Sequence, residues 1–119
     1  MENILVTIYE NLYSETAYKI ALKDVLDRIK TGSKSKDIVE QVRKAADKEA
    51  QKEAKNRLPC IVFAGVIPTG KRLDVNITEF SNLAILDYDN LMPSEYAEKK
   101  TYFINQPYTV AAFLSPSGN

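Results

Sequence analysis

The chain has 119 residues, of which 45% are hydrophobic and 27% charged, with 16 basic and 16 acidic side chains and no histidine. This is enough chain for one domain with its own core, and the composition argues against disorder. A formal charge of zero excludes a uniformly basic nucleic-acid binder, and the lack of imidazole excludes histidine-based zinc sites and histidine acid–base chemistry within the chain.

The one cysteine, Cys60, can form no disulfide within the chain and suits a reducing cytoplasm. MENILVTIYENLY has no basic stretch ahead of a short apolar run, so no signal peptide is expected. No segment approaches transmembrane length. A cytoplasmic protein without a membrane partner is the expectation.

In chain order, Ile4 to Tyr9 is short, β-branched and aromatic, which predicts a strand. Ile20, Ala21, Val25, Leu26 and Ile29 have the spacing of an amphipathic helix, and Gly32 is placed to end it in a left-handed cap. Ser35 is expected to cap a long second helix from Lys36 to Arg57, with Ile38, Val39, Val42, Ala46, Ala50 and Ala54 on its apolar face. Its other faces mix lysine with acid, which reads as a solvated surface rather than a one-sided phosphate-binding face. Pro59 breaks that helix, and Cys60 to Ile67 is predicted as a buried strand. Leu83 to Asp89 and Tyr108 to Leu114 are predicted as further strands, with a short helix from Pro93 between them. The expected fold is one α+β (mixed α/β) domain over residues 1–119, with a central sheet, two N-terminal helices and one later short helix.

Three stretches carry possible chemistry. Gly65, Gly70 and Lys71 match most of the P-loop spacing, but Arg72 stands where Ser or Thr should meet magnesium. The extended-looking RLDVNITEF after it lacks the helix whose amides hold phosphate. Lys71 and Arg72 remain candidates for phosphate contact through their side chains. Asp87 and Asp89 come next. On a strand they share a face about 7 Å apart, and two such carboxylates repel unless a cation lies between them. Hard oxygen ligands suit magnesium or manganese. The competing reading is an Asp-rich turn that closes a strand. Last, Ser115, Ser117 and Gly118 can offer hydroxyls and amides to an anion, or form an ordinary terminal turn.

Four stretches occur in a recognisable order: Leu58 to Gly65, Phe80 to Leu83, Leu86 to Leu91, and Ser115 to Asn119. Together they resemble the N-terminal domain of virulence-associated E (VirE)-like proteins of Bacteroides and mobile elements, a divergent primase-polymerase module of the archaeo-eukaryotic primase type. The resemblance implies that Asp87 and Asp89 bind divalent ions aligning a nucleotide triphosphate for attack by a 3′-hydroxyl. It implies that Ser115, Ser117 and Gly118 contact the nucleotide, and that Lys71 and Arg72 contact phosphate or template DNA. Asn82 stands where that family has glycine and Asn90 where it has histidine. A third metal-binding acid and the basic residue that continues the serine motif are missing. The resemblance therefore implies an incomplete primase-polymerase-like module, inactive alone, with self-association through an unpaired sheet edge. The rival expectation is a non-catalytic DNA-binding or protein-interaction domain that retains the fold.

Overall fold

A computed structural model describes residues 4–116. The fold is α+β, and the chain divides into two compact units, Met1–Ile85 and Leu86–Asn119.

The first unit is built on β1 (Leu5–Tyr9), which lies between β2 (Tyr18–Ala21) and β3 (Cys60–Val62) in an antiparallel sheet of order β2-β1-β3. Ile8 opposes Tyr18 on one side and Ile61 on the other. Both flanks of β1 are therefore paired, and its alternating side chains serve two different faces. Val6 points onto α1 (Leu22–Thr31) and is fully buried with Leu22 and Val25; Ile20, Ile61 and Leu83 pack around them. The opposite face carries Thr7 and Tyr9, also fully buried.

Thr7 is the buried polar residue that joins the sheet to the segment after it. Its hydroxyl donates to the Gly65 carbonyl at 2.8 Å and accepts from the Ile67 amide at 2.8 Å. Through these bonds β1 holds β4 (Gly65–Val66), which pairs with β5 (Glu79–Phe80) in a separate two-stranded sheet. The predicted single strand over Cys60 to Ile67 is thus two short strands in two sheets, separated by a turn at Phe63 and Ala64. The apolar run concealed the turn because it lacks the usual turn residues ahead of Gly65.

Other boundaries also differ from the periodicity. Tyr18–Ala21 is a strand rather than the start of a helix, because Ile20 is drawn into register opposite Val6. The helix begins only at Leu22, whose amide donates to the Ile4 carbonyl at 2.9 Å. It ends as expected at Gly32, in the left-handed region at φ 79°, with the Gly32 amide bonded to Arg28. Ser35 makes no side-chain cap; it closes a one-turn 3-10 helix, Ser33–Ser35.

The long helix is two helices, α2 (Lys36–Lys44) and α3 (Lys48–Lys55). Ala45 turns extended, and the Asp47 carboxylate accepts from the Ala50 amide at 2.8 Å as an N-cap. This break lets α3 return along α2, so that Val42, Ala54 and Leu58 form a second small core with Ile38 and Val39. Of the predicted alanine stripe only Ala54 is buried; Ala46 and Ala50 are exposed, because the break at Ala45 takes them off the face that α2 presents. Burial and the Asp47 cap outweigh the helical propensity of the two alanines.

The second unit contains α4 (Pro93–Ile104), starting at the predicted proline, with the Glu95 carboxylate accepting from the Met92 amide at 3.2 Å. Leu83 to Asp89 and Tyr108 to Leu114 are not strands. Their β-branched and aromatic composition favours extended backbone, but a strand also needs a neighbour for its amides and carbonyls. Neither segment has such a ladder partner among the described residues. Asn82 lies at φ 62°, and the chain leaves the β5 direction there.

Among the described residues no helix is long and apolar enough to cross a membrane.

Candidate functional site

Asp87 and Asp89 lie in the second unit, on the irregular segment that leads to α4, and both are exposed. Tyr88 between them turns toward the helix. Its ring centre lies 6.0 Å from that of Phe103, and the Lys99 ammonium sits 4.8 Å from its ring centroid. The segment ends at Asn90, which has φ 58°. Asparagine tolerates that left-handed conformation better than other non-glycine residues because its side chain bonds locally. Two exposed carboxylates thus flank a tyrosine docked on α4, without the strand expected to align them.

Ser115 is half-buried in the same unit, while Ser117 and Gly118 lie outside the described residues. Among the described residues no group of three or more acidic or cysteine side chains is arranged to hold a metal. Two carboxylates with the rest of the shell supplied by water and phosphate oxygens is a donor set that magnesium accepts.

Lys71 and Arg72 belong to the first unit, in the loop between β4 and β5. After Gly70 and Lys71 the chain enters a 3-10 turn, Asp74–Asn76, not an α-helix, so the amide cradle of a P-loop is not built here. The loop is instead tied to β1 and the β1–β2 connection. The Tyr9 hydroxyl donates to the Gly70 carbonyl at 2.8 Å, and Arg72 donates to the Leu12 carbonyl at 3.0 Å. The Arg72 guanidinium also stands 5.7 Å from the Tyr9 ring centroid, and the Lys71 ammonium is 3.7 Å from the Glu15 carboxylate.

Tyr9, Tyr13 and Glu15 were not indicated by the sequence. In sequence Tyr9 is the last residue of the predicted first strand, and residues 11–15 lie between that strand and the predicted first helix with no motif of their own. The asparagine in that stretch was the available signal: the Asn11 side chain accepts from the Tyr13 and Ser14 amides at 2.9 and 3.0 Å.

Burial raises the Tyr9 hydroxyl pKa above its ordinary value of 10.0, and the Arg72 charge partly opposes this. A phenol held protonated by the fold stabilises it below pH 10, and that stability is lost as pH rises from there through the folded pKa. Tyr9→Phe is expected to cost about 0.5–1.5 kcal/mol at neutral pH. It should also make the alkaline fall in stability shallower, as read from urea midpoints across pH 8 to about 11.

The chain belongs to the family described as BT4734-like, N-terminal domain, a bacterial-type domain family whose model matches residues 53–119. The match starts within α3 and takes in β3, β4, β5, α4, both aspartates, the Lys71–Arg72 pair and the terminal serine segment. No curated protein and no solved structure matches the chain.

Proposed function

We propose that this chain is part of a primase-polymerase-like module of the VirE N-terminal type. In a longer protein it would serve metal-dependent nucleotidyl transfer during mobile-element DNA replication. The observation that carries the reading is the extent of the family match. All four ordered stretches, Leu58 to Gly65, Phe80 to Leu83, Leu86 to Leu91 and Ser115 to Asn119, fall inside residues 53–119. The exposure of Asp87 and Asp89 supports it, because a metal-bound triphosphate must reach both carboxylates from solvent.

Asp87 and Asp89 are the residues assigned to hold magnesium or manganese. Such an ion supplies charge neutralisation at the attacking and leaving oxygens of an in-line displacement. In that displacement the 3′-hydroxyl oxygen would bond to the α-phosphorus as its proton passes to solvent, the bond to the bridging oxygen would break, and pyrophosphate would leave. The part of this chain is positional. Tyr88, seated on Phe103 and Lys99, holds the segment that bears the two acids. Ser115, Ser117 and Gly118 are assigned to the nucleotide, and Lys71 with Arg72 to phosphate or template DNA. With two acids available, the chain alone is expected to be inactive in synthesis.

A second reading is favoured by the second unit's surface. Leu86, Met92, Tyr102, Ile104, Tyr108 and Phe113 are all exposed, and no residue of α4 is buried. A surface so apolar fits a protein-interaction domain, or self-association, better than a free enzyme surface.

A manganese titration followed by amide NMR separates the two. Under the first reading, paramagnetic broadening centres on residues 85–91 and disappears in Asp87→Asn/Asp89→Asn. Broadening scattered over the acidic surface and unchanged in the double variant would reject the metal site and favour the interaction domain.

A further inference from the structure

The connection between β1 and β2 and the loop after Gly70 border an open recess of about 500 Å³ in the first unit, walled by Leu12 to Glu15 on one side and Lys71 to Leu73 on the other. We propose that this recess binds single-stranded nucleic acid, with one base stacked on Tyr13 and the adjoining phosphates on Lys71 and Arg72. The proposal deepens the reading above and rests on it for the nucleic-acid partner, but its residues come from the first unit alone.

The aromatic platform is preformed. Tyr13 is 72% exposed, yet it is held at both ends. The Asn11 carboxamide caps its amide at 2.9 Å, and the Asn56 side chain donates to its hydroxyl at 3.3 Å. The Leu12 amide donates to the Asn56 carbonyl at 3.1 Å, which fixes the neighbouring backbone. A ring so restrained gives up little freedom when a base stacks on it, and stacking tolerates any base because each has a π-face.

The cations are placed beside it. One Arg72 nitrogen is committed to the Leu12 carbonyl and the guanidinium plane lies near Tyr9, so the head group is oriented while its other N–H donors remain to be shared with a ligand. Lys71 is paired with Glu15, but both side chains are 67% exposed and 3.7 Å apart. Such a pair is weak in water and can open in favour of a phosphate. Two cations against one acid leave the recess positive. Its volume lies within the range of small-ligand sites and accommodates a nucleotide.

Glu15 is the informative residue, because it opposes the ligand. The probe is fluorescein-labelled dT10 in EDTA, read by anisotropy and by amide NMR. Shift changes are expected at Leu12 to Glu15 and Lys71 to Leu73. Glu15→Gln should tighten binding about threefold, and Lys71→Gln should weaken it by a similar factor. Tyr13→Ala should weaken it about tenfold and Tyr13→Phe much less, since the ring remains. Two phosphate contacts predict about a sevenfold loss between 50 and 200 mM salt.

Unchanged affinity in Glu15→Gln, or Tyr13→Phe as weak as Tyr13→Ala, would overturn the proposal. Inorganic tripolyphosphate shifting the same amides as tightly as dT10 would show a bare anion site and overturn the nucleic-acid assignment. Shift changes in the wild type centred on residues 85–91 rather than on Leu12 to Glu15 and Lys71 to Leu73 would move the DNA to the aspartate segment and overturn the recess. A failed manganese titration leaves this experiment untouched, because it contains no metal.

Discussion

Gly65→Ala is expected to destabilise the first unit by about 3 kcal/mol, at the upper end of the cost of inserting a methyl group into a packed site. A Cβ on Gly65 would stand 2.0 Å from the Glu79 carbonyl oxygen and 2.9 Å from the Ile77 side chain. The Glu79 oxygen is backbone on the paired strand β5, so relief requires β4 and β5 to part rather than a side chain to swing away. Parting them would also strain the two hydrogen bonds by which Thr7 holds this segment. Urea denaturation should show a large drop in midpoint, and the amides of Val66 and Thr78 should lose protection from exchange. A loss below about 1 kcal/mol would mean that the hairpin has slack that this geometry denies.

Thr7→Val should cost about 2–4 kcal/mol even though it preserves the side-chain shape. The hydroxyl serves two buried backbone groups at once, donating to the Gly65 carbonyl and accepting from the Ile67 amide, each at 2.8 Å. Valine would leave both without a partner. Each unsatisfied buried group costs about 1–3 kcal/mol, more than the net worth of the bond that was removed. Gly65 and Ile67 are both buried, so water cannot readily replace the lost partner. Thr7→Ser keeps the oxygen and should lose only about 1 kcal/mol, the value of one buried methyl. Equal losses for valine and serine would show that packing, not hydrogen bonding, explains Thr7. Exchange at the Ile67 amide gives an independent reading, because it should accelerate in Thr7→Val and not in Thr7→Ser.

Both effects act on the scaffold that presents Lys71 and Arg72. Thr7 and Tyr9 lie on one face of β1 and secure, in turn, the start of β4 and the loop at Gly70. The phosphate-contact candidates are therefore positioned by a strand some 60 residues earlier in the chain. By contrast, Asp87 and Asp89 depend on local packing around Tyr88 and α4. Disrupting Thr7 should perturb the recess in the first unit more than the aspartate segment.

The sequence by itself determined the α+β class, the first strand, the left-handed glycine cap at Gly32 and the proline start of α4. Each of these rests on a local cause: β-branched composition, a glycine at a conformation other residues resist, or a proline whose missing amide costs nothing in a first turn. It also placed Lys71 and Arg72 outside a P-loop, since no helix-forming run comes after them. Whatever depended on a distant partner was decided only by the tertiary structure. Pairing with β1 made Tyr18–Ala21 a strand, and the Asp47 cap with burial of Ala54 on Val42 folded one expected helix into two. The closeness of Glu79 placed Gly65 in a second sheet. Leu83 to Asp89 and Tyr108 to Leu114 show the same dependence in reverse: they have the composition of strands, and with no ladder partner among the described residues they are not strands. Spacing can put two carboxylates on one face of a strand, but only a paired strand keeps them there.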